Sequence, residues 1–334
     1  MIITILVLGF LFGAILQYAR LNRYNTISGM ATLDDLTVAK AIAIAVGLGA
    51  ILLNIAIGIG IASYHVKPLI LGGIIFGGIL FGAGMAILGY CPGTMAVSLG
   101  EGSMDALLGI AGGLSGGLVY TLALPVISKI LGPNLGSISI NSLVSNRLFF
   151  YVLIMILGLA FISIAFWLHK ADKTKNYRWL TAGIALAILN VFVFSRYGSN
   201  RPIGASTTYP YLADLLTGVN QNEYFGEIEK PGKWELFFLS GAFLAGLIFS
   251  LFKKSFRLQL IHENWKKYRG VSKLERSIWA FAGGFVLIFG ARMAGGCTSG
   301  HVISGGMQLA ISSLLFGVVV FGSLLITGKL FYKR

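Results

Sequence analysis

The chain has 334 residues and a net charge of +14. Hydrophobic residues make up 56% of it, charged residues only 11%, and mean hydropathy is +0.82. A soluble domain carries about a quarter charged residues, so an ordinary soluble fold is excluded. The composition predicts an all-α integral membrane protein, because lipid offers the backbone no partner outside its own helix.

The first apolar run, residues 2–19, has no basic leader or small-residue cleavage site, so it reads as a retained span. A polar stretch follows at 20–29, with Arg20, Asn22 and Arg23. Further spans are predicted at 38–62, 69–88 and 104–130, with a link at 63–68 that carries His65 and Lys67. The 69–88 run is rich in glycine, which lets membrane helices approach closely. A loop at 131–146 leads to a fifth span at 147–168, then to a basic loop at 169–178 and a sixth span at 179–194. The residues 195–233 are polar, hold Arg196 and Arg201, and read as a loop outside the membrane. A seventh span covers 234–252, and spans at 277–294 and 306–330 bring the expected total to nine.

Between them, 253–276 carries eight Lys or Arg against two Glu. Leu258, Leu260, Ile261 and Trp265 supply an apolar face, the pattern of an interfacial helix on anionic lipid. Basic loops beside spans report topology, so the charge does not argue for nucleic-acid binding. The loops at 169–178 and 253–276 are expected in the cytosol, with the N-terminus outside and the Lys333-Arg334 tail inside.

Two short motifs organise the chain. Gly-Tyr-Cys-Pro-Gly-Thr at 89–94 and Gly-Gly-Cys-Thr-Ser-Gly-His at 295–301 hold its two cysteines, 206 residues apart. At that offset Gly77, Gly84, Gly89, Ser98 and Gly100 match Gly283, Gly290, Gly295, Ser304 and Gly306 without a gap. The chain thus divides into a first repeat at 1–131, a connecting span with its basic loop at 132–178, and a second repeat at 179–334. An odd span between the copies makes them inverted, and inverted repeats with broken helices are a recurring transporter plan. Four polar loops are expected to converge at the centre.

These motifs, with the Gly-Phe-Leu-Phe-Gly start at 9–13, resemble the YeeE/YedE family of bacterial membrane proteins, over nearly the whole chain. The resemblance implies nine spans in an hourglass of inverted symmetry, in the bacterial cytoplasmic (inner) membrane, with cysteines along a narrow central path. It implies a transporter, not an enzyme, that imports thiosulfate or another small sulfur-containing anion. A small cytosolic sulfurtransferase-like protein is the implied partner, beside anionic lipids at 253–276. Thiosulfate transporters of the family usually carry a further cysteine after the first span, where this chain has Asn22. A related oxyanion or a selenium analogue therefore stays open as substrate. So does a membrane thiol-disulfide oxidoreductase that cycles Cys91 and Cys297.

The chemistry of the loops fits an anion path. A thiol is a weak donor, and a site on a path must attract its ion yet release it. Gly93 and Gly300 free backbone N–H groups for an anion nest. Thr94 and Ser299 add hydroxyls, and Pro92 suits the first turn of a helix. Arg20 and Arg196 occupy matching places in the copies and could attract anions at opposite mouths, or reach to lipid headgroups. Arg292, deep in an apolar run, is either functional or paired with Glu101 or a carbonyl. His301 is either a structural side chain or a partner of Cys297. Glu101 and Asp105 read as helix N-terminal acids or a proton site. No metal site or cofactor site is expected: the four His and two Cys do not cluster, and no Gly-Lys-Ser/Thr follows the glycine runs.

Overall fold

The computed structural model describes residues 2–333; Met1 and Arg334, the last residue of the basic tail, lie outside the described residues. Among the described residues every regular element is a helix, and extended residues meet only in isolated bridges. The chain opens with α1 (Ile2–Tyr18), α2 (Tyr24–Ala31), α3 (Thr37–Gly58), α4 (Leu71–Leu88), α5 (Pro92–Gly100) and α6 (Met104–Leu131). A short turn, α7 (Ile140–Leu143), and α8 (Arg147–Ala171) lead into the second part. That part contains α9 (Arg178–Phe194), α10 (Thr208–Thr217), α11 (Glu223–Phe252), α12 (Glu263–Arg269) and α13 (Lys273–Met293). A π-helical segment (Thr298–Gly305) and α14 (Ile311–Phe331) complete it.

Each expected apolar run has its helix. Seven are long and apolar enough to cross a membrane: α3, α4 continued through α5, α6, α8, α11, α13 and α14. The remaining two, α1 and α9, are apolar but have 17 residues each. That is ~25 Å of helix, against a hydrocarbon core about 30 Å thick. Leu148, Phe149, Ile156 and Trp167 on α8 point away from the protein, as lipid-facing side chains do.

Glycines let α4 and α13 touch. A methyl group on Gly77 would lie 2.6 Å from the Gly290 carbonyl oxygen, and one on Gly84 2.8 Å from that of Gly283. The helix pairs follow the same exchange. α13 packs on α6 as α4 packs on α14, and α1 packs on α11 as α9 packs on α3.

Two polar stretches fold differently from expectation. The residues 195–233 are not a loop throughout: they form α10 and the first turns of α11, which starts at Glu223 rather than near 234. Asn222 caps that start by accepting from the Phe225 N–H at 2.8 Å. Phe225 and Ile228 are buried, with the Phe225 ring stacked on Tyr211, while Glu223, Glu227 and Glu229 face outward. The segment 253–276 is not a long interfacial helix. Only the seven residues of α12 are helical before α13 begins. Trp265 turns into the protein, fully buried beside Phe331 and Arg276, so the expected lipid-facing stripe is broken.

The connectors gather at two ends. At one end Asp34 accepts from Lys173 at 2.8 Å and from Tyr268 at 2.9 Å, which joins the basic loops 169–178 and 253–276 on one side. At the other end Ala62 pairs with Ser195, Ile70 with Asn134 and Ser139 with Ala310. The cysteine loops lie along the chain between these ends.

Candidate functional site

The first cysteine loop is shaped by its neighbours on the chain. Gly89 ends α4 in the left-handed region with φ 79, and a side chain there would strike the Tyr24 ring. Cys91 is the N-cap of α5, with Pro92 in the first helical position. Thr94 closes the turn: its hydroxyl accepts from the Cys91 N–H at 2.8 Å and lies 3.4 Å from the Cys91 sulfur. Tyr209 on α10 donates to the Pro92 carbonyl at 3.0 Å and holds the loop from the other half.

The second loop follows α13. Gly295 takes φ 73, and Cys297 caps the π-helical segment, its carbonyl accepting from the His301 N–H at 2.7 Å. Both cysteines are free thiols; Cys91 is half-buried and Cys297 is 1% exposed.

A cavity of about 50 Å³ joins the loops. Cys91, Thr94, Thr298 and Ser299 line it among apolar groups such as Phe12 and Leu186. A water needs about 10–15 Å³ of such space, so the cavity is a narrow constriction that still admits small species. The Thr298 hydroxyl is buried there without a partner among the described residues.

On the other side of the Cys297 loop lies a vestibule of about 260 Å³, lined by Gly295, Gly300, Lys67, Arg201, Arg292 and Glu235, among others. Lys67 bridges to the Gly295 carbonyl. Arg292 donates to the Tyr224 hydroxyl at 2.8 Å and to the Thr207 hydroxyl at 3.1 Å. Glu235 accepts from the Thr207 and Thr208 N–H groups at the start of α10, at 2.6 and 3.3 Å, and lies 3.9 Å from Arg201. The Cys297 loop is therefore a wall between a narrow, mostly apolar cavity and a cationic one.

The other expected residues fall in varied places. Asn22 is fully buried and donates to Ser98 and Glu101 at 3.2 and 3.0 Å. Gly93 faces Phe12 and Ala205. His301 bonds Ser313 at 2.9 Å and the Ala294 carbonyl at 2.7 Å, and its ring packs on Phe316, a structural setting in which no bond reaches the Cys297 sulfur. Arg20 and Arg196 are exposed, and neither lines the vestibule or the constriction. Asp105, expected as a helix N-terminal acid or a proton site, is in the first turn of α6 and pairs with Arg276 at 2.6 Å. Lys67, Glu235, Thr207, Tyr209 and Tyr224 were not singled out from sequence. A lysine in a short link and a Thr-Thr-Tyr-Pro run in an apolar chain were the only signals.

The family model described as sulphur transport matches residues 19–326. The thiosulfate transporter TsuA of Spirochaeta thermophila is 26% identical over 347 residues, which cover 95% of this chain and 95% of that protein. The chain belongs to the sulphur transport (YeeE/YedE) family, whose members are membrane transporters and not enzymes.

Proposed function

We propose that the protein imports a small sulfur-containing anion, most simply thiosulfate, through the constriction between its two cysteine loops. The observation that carries this reading is the meeting of Cys91 and Thr94 with Thr298 and Ser299 around one narrow cavity, with a cation-lined vestibule directly beyond the Cys297 loop. The anion would enter by the vestibule, pass the neutral thiols of Cys297 and Cys91 as weak donors, and leave near Asn22. Weak neutral donors suit passage, since a site that binds too tightly does not release.

In this reading all nine apolar helices span the membrane, as two inverted repeats at 1–131 and 179–334 joined by 132–178. Support comes from the exchanged contacts of Gly77 with Gly290 and of Gly84 with Gly283, the pattern of a two-fold axis. The basic end faces the cytosol of a bacterial inner membrane, with the N-terminus outside. Exposed Lys253, Lys254 and Lys266 would meet anionic headgroups or a small cytosolic sulfurtransferase-like protein.

Uptake of labelled thiosulfate into proteoliposomes tests the proposal. Wild type takes up the label, and Cys297→Ala lowers the rate about tenfold, equivalent to roughly 1.4 kcal/mol. Unchanged uptake in the Cys91→Ala, Cys297→Ala double variant would sink the thiol path. Absence of uptake by wild type would remove thiosulfate as substrate.

A further inference from the structure

Among the described residues two cations of the vestibule make no ion-pair contact. Among the described residues Lys67 and Arg292 form no ion pair, whereas Arg201 has Glu235. Arg292 is buried and Lys67 half-buried. Their bonds go to neutral oxygens: the Gly295 carbonyl, the Tyr224 hydroxyl and the Thr207 hydroxyl. A cation taken out of water without a partner is costly, and the cost is recovered when an anion binds. Glu227 also lines the vestibule, but it is an exposed residue. Three cations, Lys67, Arg201 and Arg292, line the vestibule against two carboxylates, Glu235 and Glu227, and the two cations without an ion-pair contact can be bridged by an anion that carries two charges.

We infer that Lys67 and Arg292 form a capture site for a divalent oxyanion, which the vestibule selects over monovalent anions by charge before any thiol is reached. Arg292, held by Tyr224 and Thr207, is the fixed half of the site. Lys67 is the movable half, on a flexible four-carbon stem. Its ammonium rests on the Gly295 carbonyl at the base of the Cys297 loop. An arriving dianion draws it off that carbonyl, so filling of the vestibule frees the loop that walls off the constriction. This rests on the transport reading for its role but not for its chemistry. The soft sulfur of the substrate is recognised later, at the cysteines, and the vestibule reads charge and oxygen alone.

The test uses full-length protein in detergent, with labelled sulfate as probe. Sulfate is divalent and lacks a soft terminal sulfur; thiocyanate is monovalent and has one. Labelled sulfate is expected to bind, and unlabelled sulfate to displace it at least about tenfold better than thiocyanate does. Lys67→Met weakens sulfate binding about tenfold or more. Lys67→Arg, which keeps the charge, restores most of it. Lys129→Met, an exposed cation at the same end, leaves binding unchanged. If Lys67→Met does not fold, Arg292→Lys serves in its place and loses affinity through its two broken hydrogen bonds. The inference is overturned if wild type fails to bind sulfate, if thiocyanate competes as well as sulfate, or if the variants bind as wild type does. Thiosulfate uptake is measured separately. Protein that binds sulfate through Lys67 but takes up no thiosulfate defeats the transport reading alone. Uptake with no sulfate binding defeats the capture site alone.

Discussion

Helix α13 carries a buried arginine near each end, and the two are treated differently. At the basic end Arg276 is fully buried and has Asp105 2.6 Å away. It also donates to the Leu88 carbonyl at 2.7 Å and lies over the rings of Tyr24 and Trp265. Asp105 is shared further with Tyr90 and His262, each at 3.2 Å. This network pins the end of α4, just before Cys91, to the start of α6. At the vestibule Arg292 is also buried, yet its hydrogen bonds go to hydroxyls. The first arrangement neutralises its charge within the fold, and the second leaves a cation beside a cavity with no ion pair. The cysteine loops differ in the same sense. Pro92 and Thr94 tie Cys91 into the start of a regular helix, whereas Cys297 opens a π-helical segment beside Lys67. π-Helical turns are rare and gather at functional sites.

The largest expected effect breaks the scaffold arginine. Asp105→Asn leaves Arg276 buried without its counter-charge, and breaking such a pair costs about 3 kcal/mol or more. A large fall in the unfolding midpoint in detergent is the expected result. Arg292→Met removes two hydrogen bonds but also a buried cation that has no ion pair, and these oppose each other, so its destabilisation is expected to be smaller than that of Asp105→Asn, while sulfate binding falls. Equal destabilisation by the two variants would show that both arginines are structural, and the contrast between the ends would collapse.

A smaller effect comes from pH. Burial, and next to it the neighbouring Arg292, lower the Lys67 ammonium to about 8; Arg201 acts in the same direction, and Cys297 and Glu235 oppose it. Glu227 is the further carboxylate lining the cavity. The charged form is the one that captures an anion. Sulfate affinity is therefore full below about pH 8 and declines as the pH rises through that value. In Lys67→Arg the decline disappears, because the guanidinium stays charged. A decline that persists in that variant would assign the titration to another group.

The apolar helices were legible because hydropathy is a property of the chain alone, and seven of them are long enough to cross a membrane. Their partners were not. Arg292 was marked by its position in an apolar run, but sequence suggested Glu101 or a carbonyl, and folding supplies Tyr224 and Thr207 instead. Lys67 meets Gly295 across 228 residues, a contact that no local pattern encodes. The start of α11 was hidden because its polar residues face outward while Phe225 and Ile228 pack on α10, a helix too short for a hydropathy window. Trp265 read as a lipid anchor because an amphipathic stretch does not say which way its apolar face turns. In the fold that face meets Phe331 and two arginines.

The smallest expected effect sharpens the contrast between the cysteines. Thiol reactivity follows access and thiolate character. Cys91 is half-buried and lines the constriction, while Cys297 is 1% exposed behind Lys67 and the turn of Gly300. A small neutral methanethiosulfonate should label Cys91 about threefold faster or more in the empty protein, read by mass spectrometry of the single variants Cys91→Ala and Cys297→Ala. Sulfate then changes the order. Once the anion draws Lys67 from the Gly295 carbonyl, the Cys297 loop loosens and its thiol labels faster, while Cys91, held by Thr94 and Tyr209, keeps its rate. A sulfate effect confined to Cys91 would mean that the vestibule does not act on its own loop. The unpaired cations would then attract the anion without opening anything behind them.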